Sequence, residues 1–215
     1  MNIFEQRSKN SDYVEFMSSG RKFYWFSKRV FDIIVSLILL PVLIFFTLIL
    51  IMFNLFFNKG SIFYRQKRMG VNCSCFIAIK FRTMTNINII QRKFDEPVEE
   101  HRITFLGQTL RKTRVDELPQ ILNVLKGEMS LIGPRPDYYE HALIFLDEIK
   151  EYRVRHIIRP GISGLAQIRL GYAQGIEATR NKVKVDIYYI QNANWSLDLK
   201  IFFYTIITIF KGLGI

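Results

Sequence analysis

Three stretches of the sequence predict a helix-rich α+β fold: a membrane-associated domain with a re-entrant membrane helix, a small β-hairpin and amphipathic interfacial helices. Ile33 to Phe53 is nearly unbroken hydrocarbon, about the 20 residues that a bilayer requires, with Pro41 near its middle. SIFYRQ and CFIAIKF are short runs of β-branched and aromatic residues on either side of Met69-Gly70-Val71-Asn72, which reads as a hairpin. Leu197 to Phe210 is apolar but too short to cross a bilayer, so it suits an interfacial or docking helix.

In chain order, residues 1–27 form an N-terminal interfacial segment, polar but with aromatics at Tyr13, Phe16, Phe23, Tyr24 and Trp25. No secretory signal is expected, because the apolar run starts late and no small-residue cleavage site follows it. Residues 28–58 are the re-entrant element. Pro41 removes a helix hydrogen bond and favours a kink. Lys and Arg flank both ends: Arg21, Lys22, Lys28 and Arg29 before, Lys59, Arg65, Lys67 and Arg68 after. A one-way span carries that excess on its cytoplasmic side only, so symmetric flanks fit a helix that enters and leaves by one face; a kinked single span is the alternative. Residues 59–215 form the cytoplasmic domain.

Within that domain both hairpin arms carry cations, including Lys80 and Arg82. Thr85 to Glu100 is polar and aperiodic, a loop. Phe105 to Lys112 has helical spacing. Pro119 to Lys126 predicts a short helix with Ile121, Leu122 and Leu125 inward, and Leu131 to Pro136 a Gly/Pro turn. Tyr138 to Val154 is amphipathic, with Leu143, Ile144, Ile149 and Tyr152 as its apolar stripe. Glu177 to Asn192 is helical.

The chain has 215 residues and a formal net charge of +11, which favours anionic partners such as phosphorylated lipids, nucleotides or a lipid surface. Two cysteines, Cys73 and Cys75, argue against a disulfide scaffold, and the histidines show no zinc spacing.

Arg111 to Pro136 concentrates the chemistry. Asp116 and Glu117 are adjacent, cations at Arg111, Lys112 and Arg114 precede them, and Arg135 follows between two prolines. Acids that hold a metal or attack phosphorus, beside arginines that neutralise phosphoryl oxygens, suit a phosphate substrate. On this stretch alone a plain reading stands equally: Asp116 as an N-cap and Glu117 as a first-turn acid. Arg153 to Tyr172 adds a basic loop punctuated by glycines, with Arg159 and Gln167 as further candidates.

The ordered set KRVFD, YRQKRMG, KFRTM, LRKTRVDELPQILNVLKGEMSLIGPRP, RPGISGLAQIRLGY and VKVDIYYIQNANWSLDLKIFFYTI closely resembles the bacterial sugar transferases, the monotopic phosphoglycosyl transferases, over about Lys28 to Phe210. Larger members carry an extra N-terminal membrane region, so the resemblance is to the small form. It implies transfer of a sugar 1-phosphate from a UDP-sugar to undecaprenyl phosphate with release of UMP, at the cytoplasmic face of the bacterial inner membrane. That step initiates capsule, exopolysaccharide, O-antigen or protein-glycan synthesis. The resemblance assigns Asp116 as nucleophile, Glu117 (with Asp116 beside it) to an Mg2+ site, and Lys80, Arg111 and Arg135 to phosphate binding, which the basic hairpin residue Arg82 would extend. Asp186 matches a family acidic position. Membrane lipids are expected partners, nucleic acid is not, and homo-oligomerisation is left open. Two positions depart from the family pattern: Leu40 replaces the usual serine before Pro41 at the membrane break, and Arg114 replaces Ser or Thr before Val115.

Two other classes compete. A membrane-tethered nucleic-acid or anion binder without catalysis would use the same charge but have no need of the acid pair. A structural membrane anchor would tolerate substitution of Asp116 and Glu117.

Overall fold

The computed structural model describes residues 21–57, 60–85, 96, 99–171 and 175–212. Most of the N-terminal segment and of the Thr85 to Glu100 loop lie outside them. Helix α1 (Lys22–Phe57) carries the hydrocarbon run. The hairpin pairs β1 (Phe63–Met69) with β2 (Cys75–Phe81), antiparallel, with Phe63 opposite Phe81 and Met69 opposite Cys75. Helix α2 (Phe105–Lys112) leads to a 3-10 turn, Val115–Gln120, and directly into α3 (Ile121–Lys126). Strand β3 (Ser130–Ile132), helix α4 (Tyr139–Glu148) and a second 3-10 turn, Tyr152–His156, follow. Strand β4 (Gly161–Ser163), α5 (Leu165–Leu170), α6 (Gly175–Asn192) and α7 (Trp195–Phe210) complete the domain.

The parallel pair β3–β4 was not expected; Ser130 lies opposite Gly161 and Ile132 opposite Ser163. The Gly/Pro turn predicted from Leu131 therefore begins as strand and turns only at Gly133. A Cβ on Gly161 would sit 2.1 Å from the Gly133 nitrogen, so only glycine lets the two backbones close to this distance.

Two apolar stripes also differ from expectation. Helix α4 buries Ala142 and Phe145, with Ile149 just past its end and Tyr152 in the next turn, while Leu143 and Ile144 face outward. Ala142, Phe145, Ile149 and Tyr152 keep a spacing of three to four residues through the helix end at Glu148, and Leu143 and Ile144 fall outside that row. In α3 the inward residues are Ile121, Asn123 and Val124, and Leu125 is only half-buried. Asn123 earns its burial by bridging to β2: its side chain accepts from Ile79 N at 3.1 Å and donates to Ile77 O at 2.7 Å. It supplies the partners that a neighbouring strand would give.

Helix α1 is long and apolar enough to cross a membrane, and it exposes Ile34, Ile38, Phe45, Leu48 and Met52. Its secondary structure continues through Pro41, so the break expected at Leu40-Pro41 does not interrupt the helix. Pro41 lacks one N–H, while Leu39, Leu40, Leu43 and Phe46 around it pack with Phe81, Leu110 and Ile121 in one apolar cluster.

Polar contacts tie the start of α1 to the domain. Buried Asp198, in the first turn of α7, accepts from Tyr24 Oη at 2.8 Å, Tyr189 Oη at 2.7 Å and Lys28 Nζ at 2.6 Å. Arg29 donates to the carbonyls of Val124 at 2.8 Å and Leu125 at 3.3 Å, at the carbonyl end of α3. Asp32 accepts from Leu131 N at 3.1 Å. Helix α7 itself is capped by Asn194, which accepts from Leu197 N at 2.9 Å, and exposes Leu199, Phe203, Tyr204 and Ile207. These residues form an outward apolar row.

Removing one partner of a buried ion pair leaves the other uncompensated. Lys28→Met should therefore lower unfolding stability by about 3 kcal/mol, because Asp198 keeps only its tyrosine donors. Thermal unfolding in detergent checks this; an unchanged Tm would mean the pair contributes nothing to docking α1.

Candidate active site

The side chains of the site come from several elements. The hairpin presents Lys80, opposite Tyr64 in the ladder. Helix α2 starts at Thr104, whose hydroxyl accepts from Gly107 N at 3.0 Å, and lies against the end of β2. A Cβ on Gly107 would meet Thr83 O at 2.0 Å, so glycine sets this approach. At the other end of α2, Arg111 donates from Nε to Thr83 Oγ1 at 2.9 Å. The chain then turns sharply through Arg114, left-handed at φ 54°, and winds into the 3-10 turn bearing the acids. A branch-free but Cβ-bearing residue pays a strain of about 1 kcal/mol there.

Asp116 and Glu117 are both buried. Asp116 lies inside the turn and does not cap it; its carboxylate accepts no hydrogen bond among the described residues. The plain N-cap reading of Asp116 is thereby excluded. Glu117 is the opposite case. Its Oε1 accepts from Lys80 Nζ at 2.6 Å and from Arg135 Nη2, its Oε2 from Arg135 Nη1 at 3.0 Å, and Arg114 Nη1 stands 3.8 Å from Oε2. Arg135 is braced in turn by the Ile162 carbonyl at 3.2 Å.

These environments push two adjacent carboxyls apart. Burial opposes the Glu117 charge, but Arg135 and Lys80 overcome it and hold Glu117 well below the usual carboxylate range. Burial raises Asp116 to about 6; Lys80, Arg135 and Arg111 pull the other way, and the Glu117 charge adds to the rise. Burial also lowers Lys80, against the pull of Glu117. The cations Lys80, Arg111, Arg114 and Arg135 outnumber the two carboxylates by two charges, a surplus that matches an incoming diphosphate.

For a divalent metal the donors are Asp116 and Glu117. Among the described residues no three His, Cys, Asp or Glu side chains gather as a metal cluster. Magnesium does not need one: it binds through one or two carboxylates plus substrate phosphates and water. The pair fits that chemistry. Asp116 has open oxygens, and a cation at Glu117 would displace Lys80 or Arg135, for which phosphate oxygens are ready acceptors.

Asp116, Glu117, Lys80, Arg111 and Arg135 thus come together. Gln167, on α5, borders them: its side-chain oxygen, with the amide oriented to suit both partners, accepts from Arg114 Nη2 at 3.1 Å. Three other candidates lie elsewhere. Arg82 is buried and donates to Asn54 Oδ1 at 3.4 Å, at the end of α1. Arg159 is exposed and donates to Gly127 O at 2.9 Å, joining Arg29 at the carbonyl end of α3. Asp186 is buried against Arg155, 2.8 Å from its Nη2. Sequence reasoning passed over the contribution of Arg114 to Glu117, for which its place before DELPQ was the one available signal, and it passed over Arg155, which sits in a run of look-alike arginines.

The raised carboxyl of Asp116 has a stability consequence. Its folded value, about 6, exceeds its unfolded one, so the folded state prefers the protonated form; stability is full below the unfolded value, is lost as pH rises from about 4 through 6, and is level above that. Asp116→Asn should stabilise the protein by on the order of 2 kcal/mol near pH 7, shrinking as pH falls towards 4. Thermal melts across pH test it; a variant less stable than wild type at pH 7 contradicts it.

The family model described as "Bacterial sugar transferase" matches residues 23–212. A UDP-N-acetylgalactosamine-undecaprenyl-phosphate N-acetylgalactosaminephosphotransferase of Aeromonas hydrophila is 42% identical over 194 residues, 89% of this chain and 45% of that protein. A UDP-glucose:undecaprenyl-phosphate glucose-1-phosphate transferase of Klebsiella pneumoniae is 37% identical over 187 residues, 86% of this chain and 40% of its own. The chain therefore spans less than half the length of these two relatives. It aligns with 94% of the exopolysaccharide production protein PSS of Rhizobium leguminosarum bv. phaseoli, at 37% identity over 191 residues and 84% of this chain. With the family match covering nearly the whole chain, this protein belongs to the bacterial sugar transferase family.

Proposed function

We propose that the protein transfers a sugar 1-phosphate from a UDP-sugar to undecaprenyl phosphate, releasing UMP, and so initiates assembly of a bacterial surface or protein-linked glycan. The observation that carries this is the division of labour in the acid pair: Asp116 buried and unbonded, Glu117 locked by Lys80 and Arg135. Carboxyls with separated affinities for the proton take separate roles. The names of the relatives supply the substrate classes.

In the first step an Asp116 carboxylate oxygen attacks the phosphorus that bears the sugar. The P–O bond to UMP breaks, UMP leaves with the electron pair, and an aspartyl phosphosugar remains. In the second, an oxygen of the lipid phosphate attacks the same phosphorus and the acyl phosphate bond breaks, restoring Asp116. Each displacement is in line, so the lipid phosphate enters where UMP left, and the same cations serve both. Lys80, Arg111 and Arg135 neutralise phosphoryl oxygens, and Glu117 orients Lys80 and Arg135. Magnesium held by Glu117 and Asp116 would add charge neutralisation at the phosphates.

The membrane reading is re-entrant. Both halves of α1 are fastened to the same domain: Lys28, Arg29 and Asp32 before Pro41, then buried Leu43 and Leu50 and the Asn54 contact with Arg82 after it. A straight helix would carry Asn54 roughly 33 Å from Asp32, a full hydrocarbon thickness away. Return to one face sets the acid pair at headgroup level on the cytoplasmic side, where a lipid phosphate lies.

Kinetics, mass spectrometry and labelling test these readings. Wild-type enzyme given UDP-sugar alone should release a burst of UMP and retain a phosphosugar on Asp116, seen by intact mass; Asp116→Asn should be inactive. The kcat/KM should fall as pH drops below about 6, because the attacking group must be ionised. Chelation should abolish turnover, and magnesium should restore it. An active Asp116→Asn enzyme would sink the nucleophile. For topology, single cysteines placed near Met1 and Ile215, with Cys73 and Cys75 replaced by serine, should both resist an impermeant reagent applied to intact cells. Labelling of either one means the chain crosses the membrane.

A further inference from the structure

Behind the Gly133–Asp137 turn lies a second charge cluster, with Arg155 and Asp186 buried and Asp137 and Lys182 half-buried, that the proposed reaction does not touch. Arg155 is fully buried. Its Nη2 donates to the Arg135 carbonyl at 2.6 Å and stands 2.8 Å from Asp186 Oδ2, while Nη1 donates to Asp137 Oδ2. Lys182 Nζ donates to Asp137 Oδ1 at 2.5 Å and Tyr152 Oη to Oδ2 at 2.8 Å. The Tyr152 ring lies 5.3 Å from the Arg155 guanidinium carbon. Arg155 and Lys182 balance Asp137 and Asp186.

We propose that Arg155 is a positioning residue for Arg135. It fixes the backbone of the turn from behind, in the register at which the Arg135 guanidinium forks onto Glu117. The inference rests on the phosphate-binding role given to Arg135 above.

Every carbonyl of the turn from Pro134 onward is held. Pro134 O accepts from Gly161 N at 3.0 Å, Pro136 O from Arg68 Nη1 at 3.0 Å and Asp137 O from Met69 N at 3.2 Å. These contacts come from the strands on either side. Arg135 O, at the residue that matters most, is held by a buried guanidinium instead. Two prolines stiffen the turn but remove N–H donors, so side chains and neighbouring strands must fix its register. Stability alone does not call for this cluster, since apolar residues of similar volume hold a core as well as buried ions do. An apolar side chain could not grip the Arg135 carbonyl. Asp186, matched to a family acidic position by sequence, acts here through Arg155: burial raises its carboxyl, and Arg155 and Lys182 pull it back down.

The test is a double-mutant cycle on the full chain in lipid nanodiscs, with UMP release and UDP affinity as readouts. Arg155→Lys keeps the charge and loses the fork. With Arg135 present it should lower kcat/KM and UDP affinity about tenfold, and the KM should rise; in an Arg135→Lys background its effect should shrink to about twofold. A purely structural role would lower the amount of active enzyme by one factor in both backgrounds and leave the KM unchanged, which overturns the proposal. If Arg155→Lys does not accumulate in the membrane, Asp186→Asn, which keeps the shape, takes its place in the cycle. Failure of both to accumulate would make the cluster a folding element and also overturns it. Wild-type enzyme that releases no UMP would sink the transferase reading alone, because the UDP-affinity cycle still tests Arg155.

Discussion

A carboxylate out of water must be met by cations, and Glu117 is where this chain meets that requirement most fully. Lys80 reaches it from the hairpin, Arg135 from the proline-bounded turn and Arg114 from the start of the 3-10 turn. None of these elements is large enough to hold itself. The hairpin has two strands, marginal alone in water. The turn carrying Arg135 has two prolines and follows a three-residue strand. Fastening all of them to one buried charge fixes their relative positions, and that leaves Asp116, next in the chain, facing the same cations without being tied to any of them.

The rest of the domain repeats this device. Asp198 gathers Tyr24, Lys28 and Tyr189, joining α1, α6 and α7; Asp137 gathers Arg155, Lys182 and Tyr152, joining the turn to α6 and the second 3-10 turn. Such nodes contribute less to net stability than their contact distances suggest, because desolvation offsets most of the attraction. What they supply is register. Apolar packing tolerates a sliding helix, whereas a buried carboxylate with three directed donors does not. On the proposed reaction, with its acceptor anchored in lipid, the register of α1 against the domain would set the height of the site above the bilayer.

The sequence made legible whatever is local. The hydrocarbon run, the hairpin and α2 follow from patterns within a dozen residues, and the acid pair stands out by residue type. Strands β3 and β4 were invisible because each is three residues long and exists only through glycine-permitted contact with the other. Leu143 and Ile144 read as core by residue type, but the buried row runs through Ala142, Phe145, Ile149 and Tyr152, and Ala142 is too small to stand out in the sequence. Arg153, Arg155 and Arg159 read alike in RVRHIIRP, yet the first and last are exposed and the middle one is fully buried. Which arginine turns inward is decided by Asp137 and Asp186, distant residues that no local pattern connects to it.

Arg82 lies apart from Lys80, although the two are only two positions apart in sequence. It was grouped with Lys80 because the two are neighbours on one strand end, two positions apart. Alternation gives them the same face only while the strand lasts, and β2 ends at Phe81. Beyond that point Arg82 packs at Gly60 and Asn54, where α1 ends and the hairpin begins. Lys80 faces the acids, and Arg82 faces the end of α1. One short strand end thus joins the cation that orders Glu117 to the C-terminal end of α1.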